Sequence, residues 1–315
     1  MKLLAYSIRR ILVAIPILLG VLTIVFLLAR VAPGDPASAA LGDFASKASV
    51  DALREKMGLN DPLYVQYGKY LYDIARGDLG ESMISGRPVI EQVKDVLPYT
   101  LELTFTGVFI GSIIGVLLGI WTALKRNTAI DYAGRILSLA GLSLPAFFLA
   151  IILMYIFSIW LGILPAVGGG DLTDFKSNLT HLILPATAMA ALMASYTTRM
   201  ARSSVLNVLG EDYVRTARAK GLPESIVILK HAVRNALIPI VAVVGVYTVV
   251  MIGSSVMVEI VFARPGLGKL MVGAMKQRDY MTLQSVMVLY ASFVVFINLL
   301  TDLAYGLIDP RIRYR

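Results

Sequence analysis

Cysteine is absent from this 315-residue sequence, which excludes disulfides, thiolate metal sites and cysteine nucleophiles. Histidine is nearly absent too. His181 and His231 stand far apart in the chain, so metal chemistry by the protein itself is not expected. There is no Gly-x-x-x-x-Gly-Lys-Ser/Thr loop to cradle a nucleotide, and no His-Glu-x-x-His pair. Fixed-period repeats, low-complexity tracts and flexible linkers are likewise missing. Charge is scarce: 16% of residues are charged and 57% hydrophobic, with a mean hydropathy of +0.74, whereas soluble domains carry about 25% charged residues. The formal net charge of +8 could point to nucleic acid, but in so apolar a chain basic residues orient helices and meet anionic headgroups. No nucleic-acid partner is expected.

What the sequence does have is a series of apolar runs long enough to cross a bilayer, about 20 residues each. The first, 11–29, is bounded by Arg9, Arg10 and Arg30; it is too long for a secretory leader and reads as an uncleaved span. Further runs cover 101–124, 136–164, 182–201, 237–262 and 286–307. The fourth is the weakest, interrupted by Pro185, Thr187, Ser195, Thr197 and Thr198, which a helix bundle tolerates. The expected fold is an all-α integral membrane protein of six transmembrane helices.

Basic residues set the orientation. Lys2, Arg9 and Arg10 precede the first span, Lys125, Arg126 and Arg135 flank the second loop, and Arg311, Arg313 and Arg315 follow the last span. Arg202, Arg215, Arg218, Lys220, Lys230 and Arg234 fill the loop between the fourth and fifth. Both termini and this long loop are therefore expected in the cytoplasm. The division is a tip and first span at 1–30, an extracytoplasmic segment at 31–98, a transport domain at 99–308 and a tail at 309–315. Within the outside segment, 51–57 and 62–72 show helical spacing and predict two or three short amphipathic helices. A docking or gating element is the preferred reading over helices lying on the bilayer.

The segment 199–239 is the most informative. Glu211, Asp212, Tyr213, Arg215, Thr216, Ala217, Arg218, Ala219 and Lys220 form a short helix, which Gly221 ends and after which Pro223 begins a second over 225–236. Thr216, Ala217 and Ala219 leave room for another surface, and Arg215, Arg218 and Lys220 offer charge-assisted contacts. The residues alone leave two readings open: a docking device, or an amphipathic helix held to anionic lipid.

Here a resemblance enters. Arg215-Thr-Ala-Arg-Ala-Lys-Gly221, followed by His231-Ala-Val-Arg-Asn-Ala-Leu-Ile-Pro239, resembles the coupling motif of type I ATP-binding cassette importer permeases, in the dipeptide, oligopeptide and nickel branch. Ala32-Pro-Gly-Asp-Pro36, Gly58-Leu-Asn-Asp-Pro-Leu-Tyr-Val-Gln-Tyr67, Arg76-Gly-Asp-Leu-Gly80, Pro265-Gly-Leu-Gly268, Arg278-Asp-Tyr280 and Asp309-Pro-Arg-Ile-Arg313 extend it over nearly the whole chain. Arg215 and Thr216 stand where the general motif has Glu and Ala, a departure typical of the peptide branch. The resemblance implies a non-catalytic permease in a bacterial inner membrane, working with a second homologous permease, two ATP-binding subunits and an extracytoplasmic substrate-binding protein. ATP and Mg would be used by those partners, with no cofactor on this chain. Residues 211–221 would couple ATPase closure to the spans.

Polar residues in the spans carry further expectations. Asp302 is read as a packing acid satisfied by a hydroxyl, a backbone group or Arg, in preference to a pathway group. Glu259, Arg264 and Glu102 lie at outer span ends, as gate or binding-protein contacts; Glu102 could instead be a helix N-terminal acid. Pro145 and Pro185 predict kinks. Gly107, Gly111, Gly115 and Gly119 predict a close-packing face, assigned to subunit packing. Tyr64, Tyr67, Tyr70 and Tyr72 are expected to pack rather than to contact peptide, and His181 and His231 not to act as ligands. An ion-coupled secondary transporter is the alternative class, disfavoured by the lack of inverted repeats and intramembrane charges.

Overall fold

The computed structural model describes residues 2–31, 36–41 and 46–308. Most of the 32–36 motif and the whole 309–315 motif with Arg311, Arg313 and Arg315 lie outside them. The described residues are helical apart from loops and one isolated bridge, Glu81 with Pro88. In chain order the helices are α1 (Lys2–Val31), α2 (Pro36–Leu41), α3 (Lys47–Lys56), α4 (Leu63–Ala75), α5 (Val89–Leu124), α6 (Ala129–Ser143) and α7 (Ala146–Met154). There follow α8 (Phe175–Leu209), α9 (Asp212–Ala219), α10 (Glu224–Ile226), α11 (Arg234–Val261), α12 (Leu267–Gln277) and α13 (Tyr280–Ile308). Two wider, π-helical stretches, Tyr155–Trp160 and Val227–Val233, continue α7 and join α10 to α11.

Among the described residues five helices are long and apolar enough to span a membrane: Ser7–Arg30, Val89–Leu124, Phe175–Leu209, Glu224–Val261 and Tyr280–Ala304. The third expected span, 136–164, is a broken pair, Ala129–Ser143 and Ala146–Trp160, bent by 98°. The cause is Pro145, which caps α7 and drives Leu144 into an extended conformation at φ −95 and ψ 121. Pro185 acts differently, because α8 continues through it. The fourth span, the least regular in sequence, is one 35-residue helix whose hydroxyls bond back along it, Ser195 Oγ to Ala191 O at 2.8 Å and Thr197 Oγ1 to Met193 O at 2.9 Å.

The chain divides into two compact units, residues 1–10, 101–264 and 297–315, and residues 11–100 and 265–296. In the first, α8 is central and packs on α6, α7 and α11. Lipid is as apolar as leucine, so helices gain little by hiding apolar faces and are held by close approach. The glycine stripe supplies it. A Cβ on Gly107 would come within 2.6 Å of Met189 Cβ, on Gly111 within 2.5 Å of Ala190 O, and on Gly119 within 2.5 Å of Ala201 Cβ. The expected close-packing face is thus present, but it seats α8 of the same chain and is not free for a second subunit.

In the second unit, α4 packs on α1. Leu22 and Val25 meet Tyr70, Leu71 and Ile74, and Phe26 contacts the rings of Tyr67 and Tyr70 at 5.2 and 5.4 Å. Tyr67 and Tyr70 therefore pack as expected, while Tyr64 and Tyr72 are exposed. Asp279, nearly buried, ties the start of α13 to the loop before α5: it accepts from Ser82 Oγ at 2.6 Å, Thr282 Oγ1 at 2.8 Å and Met83 N at 3.2 Å. Thr100 Oγ1 accepts from Leu267 N at 2.8 Å and so satisfies an orphan donor of α12.

Candidate functional site

The short helix α9 is an isolated element between two long ones. Its buried face is Val214 and Ala217, set against Val227 with Val208 and Leu209 around them. Ala217 is therefore a contact to the chain itself, which corrects the expectation that it leaves room for another surface. Glu211, Asp212, Tyr213, Arg215, Thr216, Arg218, Ala219 and Lys220 are exposed. Thr216 Oγ1 is used locally, donating to Asp212 O at 2.9 Å, and Arg215 pairs with Asp212 at 3.3 Å.

The helix stops as the sequence predicts. Gly221 takes φ +73, a conformation glycine adopts at little cost, and its N–H donates to Arg218 O at 2.9 Å. Across this turn the Arg218 guanidinium makes a two-pronged contact with Glu224, at 2.8 and 3.2 Å. The hydrogen bond to Glu224 is the main reason that the Arg218 pKa is raised. Asn235 Nδ2 adds a second brace, donating to Tyr213 Oη at 2.9 Å.

The second helix of this segment is not separate. Residues Glu224–Val261 run as one 38-residue helix through the π-helical turn Val227–Val233, so the fifth span begins well before 237. Pro239 and the bases Lys230, His231 and Arg234 mark where the apolar run starts, not where the helix starts. The consequence is mechanical: α9 is braced at Glu224 and Asn235 to the helix that becomes the span.

At the opposite end of α11, Arg264 is fully buried and lies 2.6 Å from Glu102 Oε2; its other prong donates to Gly169 O at 3.1 Å. Asn178 Nδ2 donates to the second Glu102 oxygen. Glu102 sits over three turns inside α5, since that helix starts at Val89, so it is not a helix N-terminal acid. Glu259 is also fully buried. Burial of Glu259 and Arg264 excludes them as surface contacts for a docking protein in this conformation, and leaves a latch joining α5, α11 and the loop before α8.

Asp302 pairs with Arg10 at 3.0 Å, the arginine option among those expected. Sequence reasoning missed a second pair: Asp131, fully buried, receives Arg202 Nε at 2.6 Å and Nη2 at 2.8 Å, and Asn127 N at 3.0 Å. Arg202 had counted only as an orienting base. Asn178 was also missed, and Asp279 stood only within the motif Arg278-Asp-Tyr280, with no role assigned to it. His181 Nδ1 lies 2.7 Å from Ser177 O, and among the described residues no cluster could hold a metal ion.

Known proteins align with this arrangement. Residues 115–314 match the family model for the binding-protein-dependent transport system inner membrane component, and residues 3–104 match that of its N-terminal region. The dipeptide transport system permease protein DppB of Alkalihalophilus pseudofirmus is 40% identical, covering 99% of this chain and 100% of its own. The oligopeptide transport system permease protein AppB of Bacillus subtilis is 42% identical over 98% of this chain and 99% of its own. The glutathione transport system permease protein GsiC of Pectobacterium atrosepticum is 43% identical with the same coverage. Among solved structures, the MetNI methionine ABC transporter in an inward-facing conformation superposes with a TM-score of 0.57 at 19% identity, covering 70% of this chain and 97% of that one.

Proposed function

This chain belongs to the family of binding-protein-dependent transport system inner membrane components, and on that premise we propose how it moves its substrate. It is the multi-pass permease subunit of an ATP-binding cassette importer for peptides, as full-length relatives named for dipeptide, oligopeptide and glutathione transport support. It works with ATPase and substrate-binding partners. In the finer reading there are two ATP-binding subunits, which bind and hydrolyse ATP with Mg, and a second homologous permease that completes the pathway. This chain performs no catalysis and binds no cofactor. Both termini and α9 face the cytoplasm, and the segment 31–98 faces outward as a docking or gating element.

One observation carries the mechanism. The helix α9 presents Arg215, Thr216, Ala219 and Lys220 outward while Arg218 to Glu224 and Asn235 to Tyr213 fasten it to the helix that runs on as α11. A push on α9 by a closing ATPase pair is thereby delivered to the fifth span as a displacement. Its far end is the Glu102 and Arg264 latch, so one rigid helix links the ATPase side to the outer side. ATP biases an equilibrium between two packings of these elements.

The experiment is peptide uptake into proteoliposomes holding the complete transporter and its binding protein. ATP-dependent uptake in the parent is expected, with Arg215→Glu combined with Lys220→Glu releasing the ATPase subunits on co-purification. Uptake persisting after ATP depletion with an ion gradient intact would overturn the reading in favour of a secondary transporter.

A further inference from the structure

Within the first unit, α6, α8 and α11 line a half-open cavity of about 540 Å³, inside the roughly 300–1,000 Å³ range of small-molecule sites. Its lining includes Arg135, Tyr196, Arg199, Arg202, Val243 and Tyr247, and no acidic residue. Arg202 is neutralised by Asp131. Arg199 has no ion-pair partner among the described residues. Arg135 lies over the Tyr132 ring at 5.7 Å and also interacts electrostatically with Asp131. Beside Arg199, one turn away on α8, the Tyr196 ring stacks on Tyr247 of α11 at 3.5 Å with a 21° interplanar angle. Arg199 is exposed and stands about 15 Å along α8 from its end at Leu209, at the edge of the apolar run 182–201. A guanidinium that lines a cavity without an acidic neighbour in the lining can receive an anionic group.

We propose that this cavity is a carboxylate subsite, in which Arg199 receives the terminal carboxylate of a peptide as it crosses. The proposal rests on the peptide-importer reading. A peptide near neutral pH has one cationic and one anionic end, and a lining with guanidinium groups and no acid matches only the second. The planar fork of arginine suits a carboxylate in two-pronged contact, which a lysine would not reproduce. The stacked tyrosines give an apolar wall for the adjoining residue, with hydroxyl groups at its edge.

The lack of native cysteine provides the test. Val243→Cys places this chain's single thiol in the cavity, and its modification by a methanethiosulfonate reagent is followed in the assembled transporter, in vesicles of phosphatidylcholine alone. Free dialanine is expected to slow the modification severalfold while dialanine amide does not. Adding Arg199→Gln should raise the concentration for half-protection by about tenfold or more, the usual effect of losing a charge-assisted hydrogen bond. Equal protection by acid and amide overturns the subsite. So does modification that ignores dialanine but slows when phosphatidylglycerol enters the vesicle, which would assign Arg199 to a lipid headgroup. The acid and amide comparison needs no arginine variant, so a folding defect in Arg199→Gln cannot mask the answer. The assay needs no ATP, so a Val243→Cys transporter whose thiol dialanine protects, in a parent background that shows no ATP-driven uptake, would count against the importer reading and not against the subsite.

Discussion

Arg264 and Glu102, 162 positions apart in sequence, meet at 2.6 Å with the arginine wholly buried. Removing Glu102 takes the carboxylate partner from a guanidinium held inside the protein. Glu102→Ala should therefore cost about 3–5 kcal/mol, and the double replacement Glu102→Met with Arg264→Met should recover much of it. Thermal unfolding of the purified transporter in detergent checks this. If Glu102→Ala melts with the parent, the latch contributes nothing to stability.

Gly221 at φ +73 cannot be replaced by proline, whose φ is fixed near −65°, without remaking the turn, and the N–H bonded to Arg218 O would also be lost. Gly221→Pro is expected to abolish uptake while the chain still inserts in the membrane. Gly221→Ala, strained by about 1 kcal/mol at a left-handed position, should keep most of it. Uptake by the proline variant at the parent rate would remove the coupling role from α9.

The turn is also held by Arg218 and Glu224, both partly exposed. The pair is worth little in stability, under about 1 kcal/mol, so its loss should show in transport and not in melting. Arg218→Glu should slow uptake, and the swap Arg218→Glu with Glu224→Arg should restore it. A swap that stays as slow as the single variant would show that Arg218 serves a partner instead.

Gly111 faces the Ala190 carbonyl so closely that any side chain must push α5 from α8. Gly111→Leu should destabilise the protein by about 1–3 kcal/mol or more, as overpacking does, and lower its yield in the membrane. Gly20, with nothing within 4 Å of its added Cβ, is the control, and Gly20→Leu should be silent in the same measurement.

Asp302 is paired with Arg10, both residues half-buried, with side chains 33% and 41% accessible. If its role is to hold that contact, Asp302→Asn should leave peptide uptake within about twofold, since the amide oxygen can still accept from Arg10. A collapse of uptake with the protein intact would make Asp302 a pathway group.

The spans were legible because a bilayer imposes a length on apolar runs, but that run measures the membrane and not the helix. Hence α5 starts at Val89 and not 101, and the helix of α11 reaches back to Glu224, because both continue past the apolar zone on polar residues. The end of α9 was legible because Gly221 and Pro223 act locally. Pro145 announced a bend, but its size of 98° depends on what α6 and α7 pack against. The pairs Glu102 with Arg264 and Asp131 with Arg202 were not legible. Their partners lie 162 and 71 residues apart, and no periodicity joins them. The glycine series could be recognised as a contact face, yet nothing local to α5 names α8 as its occupant.

The glycine groove of α5 also has a bearing on how the chain is made. The strand of synthesis delivers α5 first and α8 only after α6, α7 and the loop that follows, a delay of several seconds at the usual pace of translation. During that interval α5 must stay in the bilayer with a bare backbone strip turned to lipid. The arrival of α8 therefore closes the seam, and a ribosome that stalls before Phe175 leaves an inserted but unfinished protein, a natural substrate for membrane quality control.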